Sequence, residues 1–199
     1  MARRPAYTRL DVDERRRRLL DLGAELFARH AYEELSMAQI AREAGISKAL
    51  LYHYFPSKQA YFRATLGQAA EELRALTETD PAEPAARQLA GALDRYLAWI
   101  EEHATAYRKL LQSVGAVPEV RELIDDVRRR TADRIVDGLA GDGATAELRA
   151  AVAGWLWFVD GATLQWLDAR GFERDRLRDL LLGTLAGAVT AAGGTPARG

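Results

Sequence analysis

Gly45 divides residues 36–58 into two short helical segments, and this break constrains the fold more than any other feature of the chain. Ser36 stands where the N-cap of the first segment belongs, and Ile40, Ala41 and Ala44 mark its inward positions. Gly45 supplies the backbone freedom that a sharp turn needs. Ser47 caps the second segment, which runs to about Tyr54 before Pro56 closes it. Lys48, Tyr52, His53 and Tyr54, with Lys58 just beyond, make this second segment basic and aromatic.

Helical spacing dominates the remainder, with no strand-like alternation of useful length. The spacing predicts a first helix from near Asp11 or Asp13 to about His30, with Leu19, Leu20, Gly23, Leu26 and Phe27 on its apolar face. Ser57 opens a fourth helix that reaches residues 77–79, and Asp80-Pro81-Ala82-Glu83-Pro84 reads as a linker. Further helices follow over about 86–100, 104–113, 118–139, 145–170 and 173–192. Pro118 sits at an N1 position and Gly171 at a C-terminal stop. The expectation is an all-α chain of about nine helices. Residues 1–56 form a three-helix helix-turn-helix domain with a basic tail, residues 57–192 a larger helical bundle, and residues 193–199 a disordered tail.

Charge divides along a similar line. Residues 1–63 carry 12 Lys/Arg against 8 Asp/Glu, whereas residues 64–199 carry 16 against 21, so only the first third suits a polyanion. With 48% hydrophobic residues the chain can bury a substantial core, which excludes disorder. The absence of cysteine excludes disulfides and thiolate metal sites, and it fits a reducing cytoplasm. Residues 1–18 lack the apolar stretch of a signal peptide, and the longest apolar tract, 150–159, is about half a membrane span. His30, His53 and His103 are scattered, and there is no Gly-rich phosphate loop or HExxH spacing. No catalytic constellation results, so neither an enzyme nor a cofactor or metal is implied.

A helix that reads DNA lays its N-terminal residues against base edges in the major groove while its partner helix crosses the backbone. The Ser36 and Ser47 hydroxyls, with the N–H groups beside them, can face phosphates at two helix N-termini. Lys48 and Lys58 add charge, and Tyr52, His53 and Tyr54 add hydrogen-bonding tips. By spacing alone the same pair also reads as an ordinary αα-corner with solvated lysines. The residues Ile40-Ala41-x-x-Ala44-Gly45-Ile46-Ser47-x-x-x-Leu51-Tyr52-x-Tyr54-Phe55-x-Ser57-Lys58, however, strongly resemble the N-terminal pattern of TetR/AcrR-type transcriptional regulators. The upstream run from Ala24 to Tyr32 resembles that family's first helix and its exit, and the resemblance covers residues 11–66.

The resemblance implies that Ser36, Ser47, Lys48, Ala49, Tyr52, His53, Tyr54 and Lys58 face DNA. Tyr52 and Lys58 would hold phosphates, and Lys48 and His53 would lie at or near base edges, over a core of Phe27, Ile40, Leu51 and Phe55. Ala31 stands where the family usually has glycine, which implies a strained or differently turned exit from the first helix. Leu50 occupies a position that is often polar, where it can meet a thymine methyl. The run Arg15-Arg16-Arg17-Arg18 and the tail arginines Arg3, Arg4 and Arg9 are expected to add phosphate or minor-groove contacts.

One reader covers one half-site, so a homodimer on a pseudo-palindromic operator is the geometric expectation. Val152, Trp155, Val159, Ala162 and Trp166 follow a 4-3 spacing and offer a dimer seam, joined by Leu177, Leu181 and Leu185 of the last helix. The resemblance places a four-helix dimer bundle at these two helices. The other reading of the stripe is internal core. The resemblance further implies a ligand cavity among the middle helices. Candidate lining residues are Tyr96, Trp99, His103 and Tyr107 on one side, and Trp157, Phe158, Asp160 and Gln165 on the other. Asp160 lies within a strongly apolar run and must be paired, protonated or water-exposed. Arg108 or Arg134 is its expected partner, and a cationic effector is the other explanation.

These features together imply a cytoplasmic, homodimeric transcriptional repressor of a double-stranded DNA operator, released by a small apolar or amphipathic effector and without a membrane anchor. The alternatives are a helical protein-interaction module and a DNA-binding regulator that needs no ligand.

Overall fold

Side-chain caps at Ser36, Ser47 and Thr145 and a turn at Gly45 set several of the helix boundaries. The computed structural model describes residues 9–113 and 118–193, and all regular structure among them is helical. These residues form α1 (Arg9–Arg29), α2 (Met37–Glu43), α3 (Lys48–Tyr54), α4 (Lys58–Leu76), α5 (Ala85–Glu102), α6 (Ala104–Ser113), α7 (Pro118–Ala140), α8 (Ala146–Ala169) and α9 (Arg174–Ala191). Single 3-10 turns at Tyr32–Glu34 and Gly141–Gly143 join α1 to α2 and α7 to α8. The chain separates into two compact units, Met1–Ala69 and Ala70–Gly199, and the division falls within α4. The expected contacts of Arg3 and Arg4 lie outside the described residues, as does the expected tail apart from Gly193. No helix among the described residues is long and apolar enough to cross a membrane.

In the first unit, Leu19, Leu20, Leu26, Phe27, Ile40, Leu51, Phe55, Tyr61 and Phe62 are buried together. Each such side chain contributes roughly 1.5–3 kcal/mol by leaving water. Phe27 and Phe62 meet edge to face at 4.4 Å, and Phe55 and Tyr61 at 4.9 Å. α1 and α4 approach closely at Gly23, where an added Cβ would lie 2.8 Å from the Tyr61 hydroxyl. That hydroxyl donates to the Leu19 carbonyl at 2.5 Å, and its burial pushes the phenol well above the ordinary tyrosine range.

The second unit packs α8 against α7 and α9, with α5 against α9. Its core includes Leu93, Leu97, Ile100, Val136, Val152, Trp155, Val159, Trp166, Leu177, Leu181 and Leu185. The Trp155 and Trp166 indoles donate to the carbonyls of Leu181 (2.9 Å) and Phe172 (2.8 Å), so both rings are satisfied within one chain. This corrects the expected dimer seam. Val152, Trp155, Val159, Trp166, Leu177, Leu181 and Leu185 are each at most 5% exposed in a single copy, and Ala162 packs against them. In a single copy the stripe is internal core.

The end of α8 also differs from expectation. Arg170, rather than the glycine after it, takes the left-handed conformation (φ 46°, ψ 34°) and is the only non-glycine with positive φ among the described residues. Its guanidinium lies 4.7 Å from the Trp166 ring and 2.5 Å from Glu101 Oε1, and these contacts hold it there.

Candidate functional site

The first unit presents one continuous polar face. Ser36 and Gln39 form a reciprocal capping box: Ser36 Oγ accepts from the Gln39 N–H at 3.3 Å, and Gln39 Oε1 accepts from the Ser36 N–H at 2.9 Å. Gly45, at φ +65°, then turns the chain so that α3 starts afresh. Ser47 Oγ accepts from the Leu50 N–H at 3.1 Å. Leu51 is wholly buried, which fixes the rotation of this seven-residue helix. The opposite side therefore carries Ser47, Lys48, Ala49, Tyr52 and His53, all exposed, with Leu50 and Tyr54 half-buried at the edges. Lys48 Nζ stands 5.7 Å from the centre of the Tyr52 ring. This is a cationic, aromatic surface over two capped helix N-termini, suited to a phosphate backbone.

Lys58 behaves differently from expectation, and Ala31 takes the unstrained of its two expected forms. Lys58 does not present its ammonium to this face. Nζ donates to the Tyr32 carbonyl at 2.9 Å and the Leu35 carbonyl at 3.0 Å, and it sits 4.2 Å over the Tyr32 ring. It is a half-buried clamp on the α1–α2 connector, with two of its three donors taken by the backbone. The sequence held no local signal for this, because the partners lie 26 and 23 residues away. Ala31 is unstrained: its φ of −68° and ψ of 153° are ordinary extended values, and its N–H donates to Glu34 Oε2 at 2.8 Å. Of the arginine run, Arg16 stacks on Phe55 at 5.3 Å and Arg18 pairs with Glu14.

In the second unit the structure joins three of the expected pocket residues in a chain of hydrogen bonds. The Tyr96 and Tyr107 hydroxyls lie 2.9 Å apart, and Tyr107 donates to Asp160 Oδ1 at 2.9 Å. Burial raises both phenols above their ordinary range, and the Asp160 charge raises them further. Asp160 Oδ2 accepts from Arg128 Nε at 3.0 Å and Nη2 at 2.5 Å. Arg128 therefore takes the role expected of Arg108 or Arg134. Arg108 instead bonds Asp168 and the Leu167 carbonyl. A signal for Arg128 was present: it shares the four-residue steps of Ile124, Ala132 and Val136, so it stands on the inward stripe of α7.

Arg128 also lies with its guanidinium carbon 3.7 Å from the centre of the Trp157 ring, which brings a fourth expected residue to the cluster. Trp157 is 59% exposed and borders an open groove of about 330 Å³, lined by Arg128, Ala132, Val136, Arg149 and Leu156 among others. The other four candidates stand apart. Trp99 and His103 stack on each other at 4.2 Å, and His103 Nδ1 donates to the Trp99 carbonyl at 2.8 Å. Phe158 and Gln165 are exposed and share a face of α8 with Gly154 and Gly161. These two are corrected from pocket to outer surface, because Val152, Trp155 and Val159 turn the opposite side of α8 into the core.

Comparison with known proteins covers both units. Residues 19–65 match the model of the bacterial regulatory proteins of the tetR family, and residues 85–187 match a tetracyclin repressor-like C-terminal domain. The HTH-type transcriptional activator FasR of Mycolicibacterium smegmatis is 30% identical over 149 residues, 71% of this chain and 66% of that protein. BetI, an HTH-type regulator of Agrobacterium fabrum, is 40% identical over 60 residues, 30% of this chain and 29% of that protein. The repressor KstR of M. smegmatis is 35% identical over 65 residues, 33% and 32% of the two chains. The chain thus spans less than two thirds of the length of each of these three relatives. All three are named as HTH-type transcriptional regulators. A tetR-family regulator from Streptomyces coelicolor superposes with a TM-score of 0.79 at 28% identity, covering 91% of this chain and 82% of its own. A regulator from Saccharomonospora viridis solved in complex with choline shares the fold, with a TM-score of 0.66 at 23% identity, covering 85% of this chain and 94% of its own.

Proposed function

Because the chain belongs to the tetR family of bacterial regulatory proteins, we propose that it is a homodimeric transcriptional repressor, released from a pseudo-palindromic operator by a small-molecule effector. One observation carries the reading: Ser47, Lys48, Ala49, Tyr52 and His53 stand together on the exposed face of α3, whose rotation the buried Leu51 fixes. The start of α3 enters the major groove, where Lys48 and His53 meet base edges. Tyr52 and the Ser36 and Ser47 hydroxyls meet phosphates, and Tyr54 lies at the margin.

The dimer forms through the outer faces of α8 and α9. Gly154, Phe158 and Gly161 on one helix and Leu180, Gly183 and Gly187 on the other are exposed, lack charge and recur at helical spacing. Small residues let helices approach closely, and Phe158 and Leu180, 40% and 46% exposed, supply the apolar area. An effector bound in the second unit favours a spacing of the readers that misfits the half-sites, so effector and operator oppose each other through linkage. The choline complex of a neighbour with the same fold supports a small ligand. FasR, named an activator, favours a second reading in which the same contacts recruit rather than block transcription.

Selection of bound fragments from a genomic pool, followed by retention across a salt series, tests the proposal. A two-fold symmetric site with steeply salt-dependent binding is expected. Failure to enrich any symmetric site would sink it. A reporter with the selected operator over or upstream of the promoter then separates repressor from activator.

A further inference from the structure

Arg128 lies between the face of Trp157 and the Asp160 carboxylate. Its guanidinium lies 3.7 Å from the Trp157 ring centre and pairs with Asp160, while Tyr107 holds the other carboxylate oxygen at 2.9 Å. A face of indole and a carboxylate that meet at one guanidinium, with a phenol holding the carboxylate's other oxygen, is the chemistry that recognises an organic cation. The Arg128 and Asp160 side chains are 14% and 20% exposed, so the pair is largely desolvated but reaches solvent at the groove beside Trp157. The guanidinium satisfies the site incompletely, since Nη1 is buried without a hydrogen-bond partner. A head group with no N–H leaves no such orphan. Arg128 also has somewhere to go: Asp125, one turn back on α7 and half exposed, already stands 3.7 Å from Nη1.

We propose that Trp157, Asp160 and Tyr107 bind an organic cation with an apolar body, and that Arg128 is a built-in competitor that the ligand displaces toward Asp125. The proposal rests on the effector reading above and names the class of effector. The body of the ligand lies in the groove along Ala132, Val136 and Leu156, and its head takes the place of the guanidinium. Through Asp160, Tyr107 and Tyr96 the exchange is felt on α8, α6 and α5 at once. Arg128 sets the threshold: weak ligands fail to displace it, and selectivity follows from that competition.

The test uses the full chain, with benzyltrimethylammonium as probe, benzoate as an organic anion of similar size and sodium chloride to match ionic strength. Calorimetry should show Arg128→Met binding the cation at least tenfold more tightly than the original chain. Asp160→Asn added to Arg128→Met should abolish that gain. Trp157→Ala, a change at an exposed position that leaves the core intact, should weaken binding at least fivefold in the otherwise unaltered chain. If Arg128→Met fails to fold by circular dichroism, the Trp157→Ala comparison decides alone. Equal affinity with and without Arg128 or Trp157 overturns the proposal, as does benzoate binding that is lost in Arg128→Met. DNA retention is read separately. Cation binding of the expected pattern without operator release supports the site and overturns only the effector reading.

Discussion

The Tyr61 hydroxyl donates to the Leu19 carbonyl across 2.5 Å, and it does so over Gly23, where any side chain would collide with the same phenol. The close approach of α1 and α4 thus depends on a missing methyl group. Gly23→Ala places a Cβ 2.8 Å from the Tyr61 hydroxyl and against the Thr65 hydroxyl, both on fully buried side chains. Overpacking of this kind costs about 1–3 kcal/mol, more than the roughly 1 kcal/mol by which alanine favours a helix. Urea unfolding should show Gly23→Ala as destabilising. Tyr61→Phe should cost about 1 kcal/mol, and the double variant less than the sum, because the phenylalanine makes room for the methyl.

Lys48 and Lys58 should separate cleanly. Lys48→Met removes a side chain placed against base edges, so it should cost about 1–3 kcal/mol of discrimination between the operator and a base-substituted copy, while the slope of log affinity against log salt changes little. Lys58→Met should leave that slope unchanged and lower stability by about 1–3 kcal/mol, since it frees the Tyr32 and Leu35 carbonyls of a charged donor. A slope reduced by about 0.9 in Lys58→Met would return Lys58 to the DNA.

Phe158→Glu and Leu180→Glu put charges on the exposed faces of α8 and α9. Sedimentation velocity should report folded monomers, with operator affinity reduced at least tenfold. Trp155→Ala should instead destabilise the fold by about 3–5 kcal/mol, because its ring is core and its indole N–H bonds Leu181. A Phe158→Glu, Leu180→Glu double variant that remains dimeric would reject the outer-face assignment.

Alkaline pH should weaken the fold through its buried phenols. Tyr61 and Tyr107 have folded-state values raised above the ordinary 10, chiefly by burial. The unfolded chain therefore loses these protons first. The stability they contribute is complete below about pH 10 and is lost as pH rises toward the folded-state values. Each such tyrosine steepens the loss by about 1.4 kcal/mol per pH unit. Unfolding midpoints between pH 9 and 11 should fall, and Tyr107→Phe should flatten the decline. An unchanged slope in that variant would rule out Tyr107 as a source.

Much of this architecture was legible because its boundaries are chemical. Ser36, Ser47 and Pro118 open helices and Gly45 turns the chain where the residue types require it, and the all-α expectation followed. The facing of α8 was not legible. Nearly all its sides are apolar, so a 4-3 spacing fits Val152, Trp155 and Val159 equally well as seam or core. The outer face sets Phe158 among Gly154, Gly161 and Gln165, so apolar side chains stand on both sides and spacing alone does not choose between them. Asp160 was recognisable as needing a partner, yet several arginines lie on neighbouring helices; the inward stripe of α7 pointed to Arg128, and the fold brings it to the carboxylate. Lys58 was hidden for the same reason: its partners are backbone carbonyls, which every sequence has.

Most helix ends that turn left-handed do so at glycine and are indifferent to the solution around them. Arg170 pays about 1–2 kcal/mol for that backbone and is held by a charge pair with Glu101. Its termination therefore rests on what its side chain touches rather than on the lack of one. The Arg170 and Glu101 side chains are 46% and 36% exposed, so the pair alone offsets only part of that cost, and the last turn of α8 depends also on the Trp166 ring beneath the guanidinium.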